Sequence, residues 1–225
     1  MDANDTTCKM VNIYLYSRYE RFWHWLQSAL IVILLATGFE TNGMLTLFGF
    51  KTAAEIHNFV GISWLIAFAF FVFWVFTTGE WRQYVPTLEN LREQAEYYTV
   101  GIFRSAEHPT RKSAVSKLNP LQRLVYLALK VLVIPVVVTS GLLYMFYRYP
   151  QRLGVEALNV EGLTAIAVLH TAGAFFLVAF LIGHLYLITT GHTLSSNLKA
   201  MITGWEDLEV EPAPAAPASA EEVAA

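Results

Sequence analysis

Apolar residues along the chain are gathered into four long runs, and the polar residues lie mostly between them. A helix of about 20 apolar residues crosses the hydrocarbon layer of a bilayer, and each run lies close to or beyond that length. Lipid offers the backbone no hydrogen-bond partners, so the backbone of such a span forms its hydrogen bonds within a helix. The pattern therefore predicts an all-α integral membrane protein, a four-helix bundle with spans at residues 22–40, 57–77, 121–147 and 164–190.

The segments outside the spans complete the predicted organisation. Residues 1–16 are expected to be an N-terminal segment that precedes one membrane domain, residues 17–204. Within that domain, apolar residues at helical spacing predict an amphipathic loop over residues 80–118, which lies on the membrane face or covers the end of the bundle. Residues 205–225 are acidic and rich in proline and alanine, which predicts a disordered tail.

The composition strengthens the assignment to a membrane. Hydrophobic residues make up 55% of the chain, charged residues 15%, and the mean hydropathy is +0.43. An ordinary soluble domain carries about 25% charged residues, so the composition favours a membrane protein. We expect membrane lipid to surround the four spans, and we expect no nucleic-acid partner.

The distribution of lysine and arginine predicts the orientation of the bundle. With the N-terminus in the cytoplasm, eleven of these residues fall in inner segments, three fall in outer loops, and Lys130 lies within the third span. Positive residues favour the cytoplasmic side of a membrane. We therefore expect a multi-pass protein of the bacterial inner membrane with both termini in the cytoplasm.

Four of the six histidines fall within the predicted spans or at their edges: His24, His57, His170 and His184. Ionisable side chains inside a bilayer are costly and generally serve a pathway or a cofactor. His170 and His184 are fourteen residues apart, which in a helix is about 21 Å and nearly four whole turns. These two histidines are thus predicted to share one helix face at two depths.

The predicted topology sorts the histidines into two level pairs. His24 and His184 lie near the inner side, and His57 and His170 lie near the outer side. Two axial imidazoles at each level are what a six-coordinate haem iron requires, whereas zinc requires ligands that converge on one point. The single cysteine, Cys8, excludes the C-x-x-C-H attachment of c-type haem. The bundle is therefore expected to enclose two haems.

Several motifs resemble one known family. "RFWHW" in the first span, "HNFVG" in the second, "LNPLQRLVY" at the start of the third and "LHTAG" followed by "GHLYL" in the fourth are similar to four-helix di-haem cytochromes b. That family supplies membrane subunits to formate dehydrogenases, nickel–iron hydrogenases and thiosulfate reductases. The resemblance covers residues 17–192. "NPLQRL" and "TTGEWRQYVP" look closest to the thiosulfate reductase-like branch.

The resemblance implies an electron-transfer subunit with two haem b groups. Electrons would pass between a periplasmic partner and a quinone, menaquinone or ubiquinone, at the inner haem. The expected partner is a set of iron–sulfur and molybdenum or nickel–iron catalytic subunits, or a multi-haem cytochrome c. The chain itself has no iron–sulfur or molybdopterin motif, so the substrate chemistry is expected on the partner.

Three further residues are candidates for the site. The resemblance places Asn119 and Gln122 where they can contact a quinone, although Asn119 followed by proline is also a good helix start. Lys130 is a candidate partner of a haem propionate, or it extends towards the inner surface. His108 and His192 at the inner rim are either proton carriers or ordinary surface histidines.

Other functions remain open at this stage. A transporter that relays protons through buried histidines should show broken helices or inverted repeats, and neither is visible in the sequence. A haem-anchored assembly protein without quinone turnover is a second alternative. A membrane carrier that serves a periplasmic multi-haem cytochrome is a third.

Overall fold

A computed structural model of the chain describes residues 9–87, 89–104, 106, 117–148, 160–191 and 193–210. In chain order the elements are β1 (Lys9–Tyr14), α1 (Arg18–Thr41), α2 (Phe50–Thr78), a 3₁₀ turn (Glu80–Tyr84), α3 (Leu91–Thr99), a second 3₁₀ turn (Gly101–Arg104), α4 (Pro120–Ala128), a π-helical turn (Leu129–Val133), α5 (Ile134–Arg148), α6 (Val160–Ile188), α7 (Ser196–Thr203) and β2 (Trp205–Val210).

Four helices are long and apolar enough to cross a membrane, which confirms the four predicted spans. They are α1, α2, a third span in which α4 continues through the π-helical turn into α5, and α6. Large apolar side chains on these helices point outward, and Phe70, Phe73 and Phe76 of α2 are all exposed. Such a surface is stable only when lipid covers it.

The third span contains an irregular turn that its sequence explains. Pro135 has no backbone N–H and its ring crowds the carbonyl four residues earlier, so a regular helix cannot run through it unchanged. The π-helical turn Leu129–Val133 comes directly before this proline and widens the hydrogen-bond ladder there. The turn also carries Lys130, the one lysine predicted to lie within a span.

Packing between the spans divides the bundle into two helix pairs. Among the described residues, α1 lies along α2 and α5 lies along α6, whereas contacts between the two pairs are sparse. The four histidines of the predicted spans face one another across the space between the pairs. The architecture thus leaves room for a flat group between opposing imidazoles.

The predicted start of the tail was wrong. The protein is mostly helical, as predicted, but residues 205–210 do not belong to a disordered tail, because they form β2 antiparallel to β1. Their alternating side chains bury Leu208, and Asn12 donates a hydrogen bond to Asp207 across the sheet. Three acidic residues in "WEDLEV" gave this segment the composition of a solvated tail. They concealed the alternation of apolar and polar side chains that is typical of a β-strand.

The sheet joins the two ends of the folded chain. Tyr14 lies opposite Trp205, and the backbone N–H groups of Leu15 and Tyr16 donate to the carbonyl of Gly204. Both ends of the bundle therefore lie on the same side, as the predicted orientation requires. That this side is the cytoplasm stays a prediction.

The inner connection between the second and third spans is only partly helical. Within the predicted loop 80–118, α3 is amphipathic and packs on α4 with Gln94 fully buried. The helix therefore covers the end of the bundle, which was one of the two expectations for this loop. Residues 107–116 lie outside the described part of the chain.

Candidate functional site

The structure brings the four predicted histidines together in two facing pairs. The ring centroids of His24 and His184 are 6.0 Å apart, and those of His57 and His170 are 6.1 Å apart. A metal–imidazole bond is about 2 Å long, so two rings on opposite sides of one metal ion have centroids roughly 6 Å apart. Each pair therefore has the spacing of two axial ligands on one iron.

The two pairs lie at different depths of the bundle. α6 contributes His170 to one pair and His184 to the other, and fourteen residues of helix separate them by about 21 Å. This offset covers much of the roughly 30 Å hydrocarbon thickness of a bilayer. Among the described residues, no group of three or more histidine, cysteine, aspartate or glutamate side chains is arranged to hold a metal ion.

A threonine orients the ring of His57. The Thr37 hydroxyl donates to the carbonyl of Ile33 on its own helix, and its oxygen lies 3.1 Å from His57 Nδ1. Because the hydroxyl proton is already used, the oxygen acts as acceptor and Nδ1 carries the proton. Nε2 then has its lone pair free for a metal.

His170 is held in the same way from the opposite helix pair. Its Nδ1 lies 3.0 Å from the carbonyl of Val137 and 3.2 Å from the hydroxyl oxygen of Ser140. The Ser140 hydroxyl donates to the carbonyl of Val136, so Nδ1 is again the donor. This ring also has its Nε2 free for a metal.

A glycine follows each of these hydroxyl residues and makes room for the imidazole. A Cβ atom added to Gly38 would lie 3.2 Å from His57 Cε1, and one added to Gly141 would lie 2.9 Å from His170 Cε1. A side chain at either position would push against the ring. At each outer imidazole, a hydroxyl oxygen lies beside Nδ1, and the glycine that follows the hydroxyl residue in sequence leaves space for the ring.

Sequence reasoning missed these hydroxyl groups. Glycines within the spans are visible in the sequence, but the signal that Thr37 and Ser140 matter is the repeated hydroxyl–glycine dipeptide at 37–38 and 140–141. A hydroxyl inside a helix usually bonds its own backbone, as both of these do. Only the crossing of the helices shows that the same oxygen also receives a histidine N–H.

The inner pair has different surroundings. His24 Nδ1 is buried and has no hydrogen-bond partner among the described residues. The ring of Phe180 stacks on His184 at 5.8 Å, and Trp25 meets His24 edge to face at 5.3 Å. Aromatic rings rather than hydroxyl groups therefore surround the inner imidazoles.

These features fit a haem at each level. Every pair offers two opposed imidazole nitrogens at the spacing of axial ligands, and the outer rings are held in the tautomer that ligation requires. Glycines without side chains leave space beside the outer rings. At the inner level, aromatic rings pack around the two imidazoles and give the apolar environment that suits a macrocycle.

Asn119 and Gln122, the candidate quinone contacts, form a capping box at the start of α4. The Asn119 side chain accepts from the Gln122 N–H at 2.8 Å, and the Gln122 side chain accepts from the Asn119 N–H at 3.1 Å. Asn119 also donates to the Tyr98 hydroxyl at 3.1 Å. The capping box does not use the side-chain –NH₂ group of Gln122, which could therefore donate to a quinone oxygen. Contact of Asn119 or Gln122 with a quinone stays a prediction.

Lys130 is placed against aromatic rings near the inner end of the bundle. Its Nζ lies 3.2 Å from the ring centroid of Tyr84 and 5.0 Å from that of Phe71. Tyr84 belongs to the inner connection, so the side chain extends towards that end. Contact with a haem propionate stays a prediction, and His108 and His192 lie outside the described residues.

The comparisons with known proteins agree with the geometry. The family model described as prokaryotic cytochrome b561 matches residues 15–204, a range that contains all four paired histidines. The chain is similar to "Putative cytochrome YdhU" of Escherichia coli (strain K12), at 33% identity over 199 residues that cover 86% of this chain and 74% of that protein. No solved structure gives a match. The chain therefore belongs to the prokaryotic cytochrome b561 family of membrane cytochromes, a family that implies b-type haem and electron transfer.

Proposed function

We propose that the chain is a di-haem b-type cytochrome that carries electrons between a periplasmic redox partner and the quinone pool. The observation that carries this proposal is the pair of facing imidazoles at each of two depths, His57 with His170 and His24 with His184. One ligand pair would serve a single haem. Two pairs about 21 Å apart along α6 suit a route across the membrane.

The residues of the chain supply ligation, orientation and shielding. Haem, when bound, supplies a reversible one-electron iron couple at each level. The paired imidazoles would hold each haem iron and would keep other ligands away from it, while Thr37, Val137 and Ser140 hold the outer imidazole protons. The apolar spans would shield the space between the helix pairs from water.

We infer that quinone reacts at the inner level. His184 lies near the end of α6, and α4 begins at the same end of the bundle with Asn119 and Gln122. Menaquinone or ubiquinone would exchange electrons there and protons with the cytoplasm. The proposal is supported by the resemblance of "NPLQRL" to the quinone-reactive family members and by the polar side chains at this end.

The periplasmic partner is proposed from the same resemblance. Iron–sulfur and molybdenum subunits, nickel–iron subunits or a multi-haem cytochrome c would exchange electrons with the outer level beside His57 and His170. The chain would be the membrane-anchoring subunit of that respiratory complex. Affinity purification of the tagged protein from its native membrane, followed by identification of the co-purified chains, tests this part.

Spectroscopy of the purified protein tests the central proposal. We expect two haem b groups per chain and two low-spin bis-imidazole signals in the electron paramagnetic resonance spectrum of the oxidised protein. Addition of a quinol should reduce both haems. A reduced-minus-oxidised spectrum without a b-type haem signal would support the transporter instead, and haem that no quinol reduces would support the assembly protein.

A further inference from the structure

A buried carboxylate lies at the outer end of α1, close to the outer histidine pair but not part of it. The side chain of Glu40 is only 4% exposed. Its Oε1 atom accepts from three successive backbone N–H groups, those of Leu47, Phe48 and Gly49, at 2.8, 2.7 and 2.6 Å. Bonds this short are typical of N–H groups that donate to a charged acceptor. The carboxylate therefore fixes the last three residues before α2 onto the end of α1.

The connection between α1 and α2 gains little anchorage from its own side chains. Four large apolar residues in it are at least 44% exposed, namely Met44, Leu45, Leu47 and Phe48. Gly49, which directly precedes α2, has a φ of +85° and no side chain that could cap the helix. Glu40 thus supplies an acceptor that Gly49 cannot provide.

The residue that Glu40 holds and the outer histidine share one face of α2. Gly49, Ala53 and His57 follow one another at a spacing of four residues, so they span about 12 Å along one side of the helix. Ala53 is fully buried, and α1 lies along α2. Since Glu40 holds one end of this face and Thr37 meets the other, it is the face that packs on α1.

The contact at His57 depends on where α2 lies along α1. Glu40 and Thr37 are three residues apart on α1, and both side chains are buried. The Thr37 oxygen lies 3.1 Å from His57 Nδ1. Because a separation of about 3.6 Å is no longer a hydrogen bond, a slide of α2 by about 1 Å would break the contact that orients the ring.

We propose that Glu40 is a positioning residue of the outer haem site. Its carboxylate fixes the start of α2, and α2 in turn brings the His57 Nδ1–H to the Thr37 oxygen. This inference rests on the proposed function, because it assigns the outer pair to a haem.

Two variants of Glu40 separate the role of an acceptor from that of a charge. Glu40→Ala removes the carboxylate and so releases the start of α2. Glu40→Gln removes the negative charge but keeps a side-chain oxygen that can accept from the same N–H groups. Glu55→Ala is the matched control, because Glu55 is exposed and lies near the start of α2 at the same end of the bundle.

The first measurement is a redox titration of both haems in the holoprotein in lipid nanodiscs. Glu40→Ala should raise the outer midpoint potential, because an imidazole whose Nδ1–H loses its acceptor is a weaker donor to iron. Glu40→Gln should shift it less than half as far. The inner potential in every variant, and both potentials in Glu55→Ala, should stay at the wild-type values.

Two outcomes of this titration would overturn the inference. An unchanged outer potential in Glu40→Ala would show that the ring needs no help from the carboxylate. An equal shift in Glu40→Ala and Glu40→Gln would show that the charge of Glu40 acts on the haem, and not the position that it gives to α2.

A double variant tests whether Glu40 acts through Thr37. In the Thr37→Val protein the contact that Glu40 protects is already absent. Glu40→Ala should therefore move the outer potential less than half as far in Thr37→Val as it does in the wild type. Equal shifts in the two backgrounds would contradict the inference.

Amide hydrogen exchange needs no haem and so separates the inference from the proposed function. In Glu40→Ala, residues 47–57 should exchange at least about tenfold faster, since fewer bonds hold this segment closed, whereas α6 should exchange at the wild-type rate. A protein with fewer than two haems would refute the proposed function, and the exchange would still decide whether Glu40 holds α2. Wild-type exchange in residues 50–57 of Glu40→Ala would overturn the inference, whatever the haem content of the variant.

Discussion

The outer and inner histidine pairs have nearly the same spacing but very different surroundings. At the outer level, each Nδ1–H is fixed by a hydroxyl oxygen, and His170 also faces the carbonyl of Val137. At the inner level, His24 Nδ1 has no partner among the described residues, and aromatic rings pack around both imidazoles. Ligand spacing and ligand orientation are therefore separate properties in this bundle.

The difference between the surroundings agrees with the separate roles that we propose for the outer and inner levels. A fixed Nδ1–H makes an imidazole a stronger donor to the metal and resists rotation of the ring, which suits a site that only passes electrons. The inner pair lies among aromatic rings, at the level where we propose that quinone reacts. Variants at each level should therefore produce different kinds of defect.

Removal of a ligand should have the largest effect. His170→Ala should lose the outer haem and keep the inner one, and His184→Ala should do the reverse, because each variant leaves one intact imidazole pair. Haem quantification per chain and the two low-spin signals of the oxidised protein measure the outcome. Two haems retained in both variants would refute the assignment of ligands.

A crowded outer ring should produce the next largest effect. In Gly141→Ala the new Cβ would lie 2.9 Å from His170 Cε1, so the ring or the helix must move. Overpacking of this kind costs about 1–3 kcal/mol, and we expect outer haem occupancy to fall several-fold while the inner haem remains.

Gly61→Ala is the matched control for this variant. Of the residues that the structure describes, its Cβ would meet only Leu34 within 4 Å, at 3.9 Å from Cδ2, which is an ordinary contact. Haem content should therefore stay at the wild-type value. Equal loss of haem in both variants would mean that helix glycines are required in general, and not specifically beside His170.

The spans and the four histidines were predictable because lipid imposes strong constraints. The backbone of an apolar run that crosses a bilayer must form its hydrogen bonds within a helix. An imidazole inside such a run is costly and generally serves a pathway or a cofactor. The roles of Thr37 and Ser140 were not predictable, since each hydroxyl satisfies its own helix in the usual way. Their second contact depends on how α1 meets α2 and how α5 meets α6, which no local pattern specifies.

Loss of a single hydroxyl should have a smaller effect, confined to one redox potential. Thr37→Val removes the oxygen that accepts from His57 Nδ1 and leaves the Leu34 carbonyl as its acceptor. The outer potential should rise, because a less basic imidazole stabilises ferric iron less. One hydrogen bond is worth about 1 kcal/mol, or roughly 40 mV for a one-electron couple.

Redox titration of both haems checks the Thr37 prediction. The inner potential should not move in Thr37→Val. Thr77→Val is the control, since the Thr77 hydroxyl is exposed and bonds only its own helix at the inner end of α2. An unchanged outer potential would show that the carbonyl alone fixes the ring.

The terminal sheet should be the least sensitive part as far as haem is concerned. Gly204 has a φ of +91°, and an added Cβ would lie 2.6 Å from Tyr14 Cε2 and 2.8 Å from the Tyr16 carbonyl oxygen. Gly204→Ala should therefore destabilise the pairing of β1 with β2, at a backbone cost of about 1–2 kcal/mol. Both haems should remain, because their ligands lie on the spans. Amide hydrogen exchange should speed up in residues 9–14 and 205–210, and loss of the inner haem instead would show that the sheet supports His24 through the start of α1.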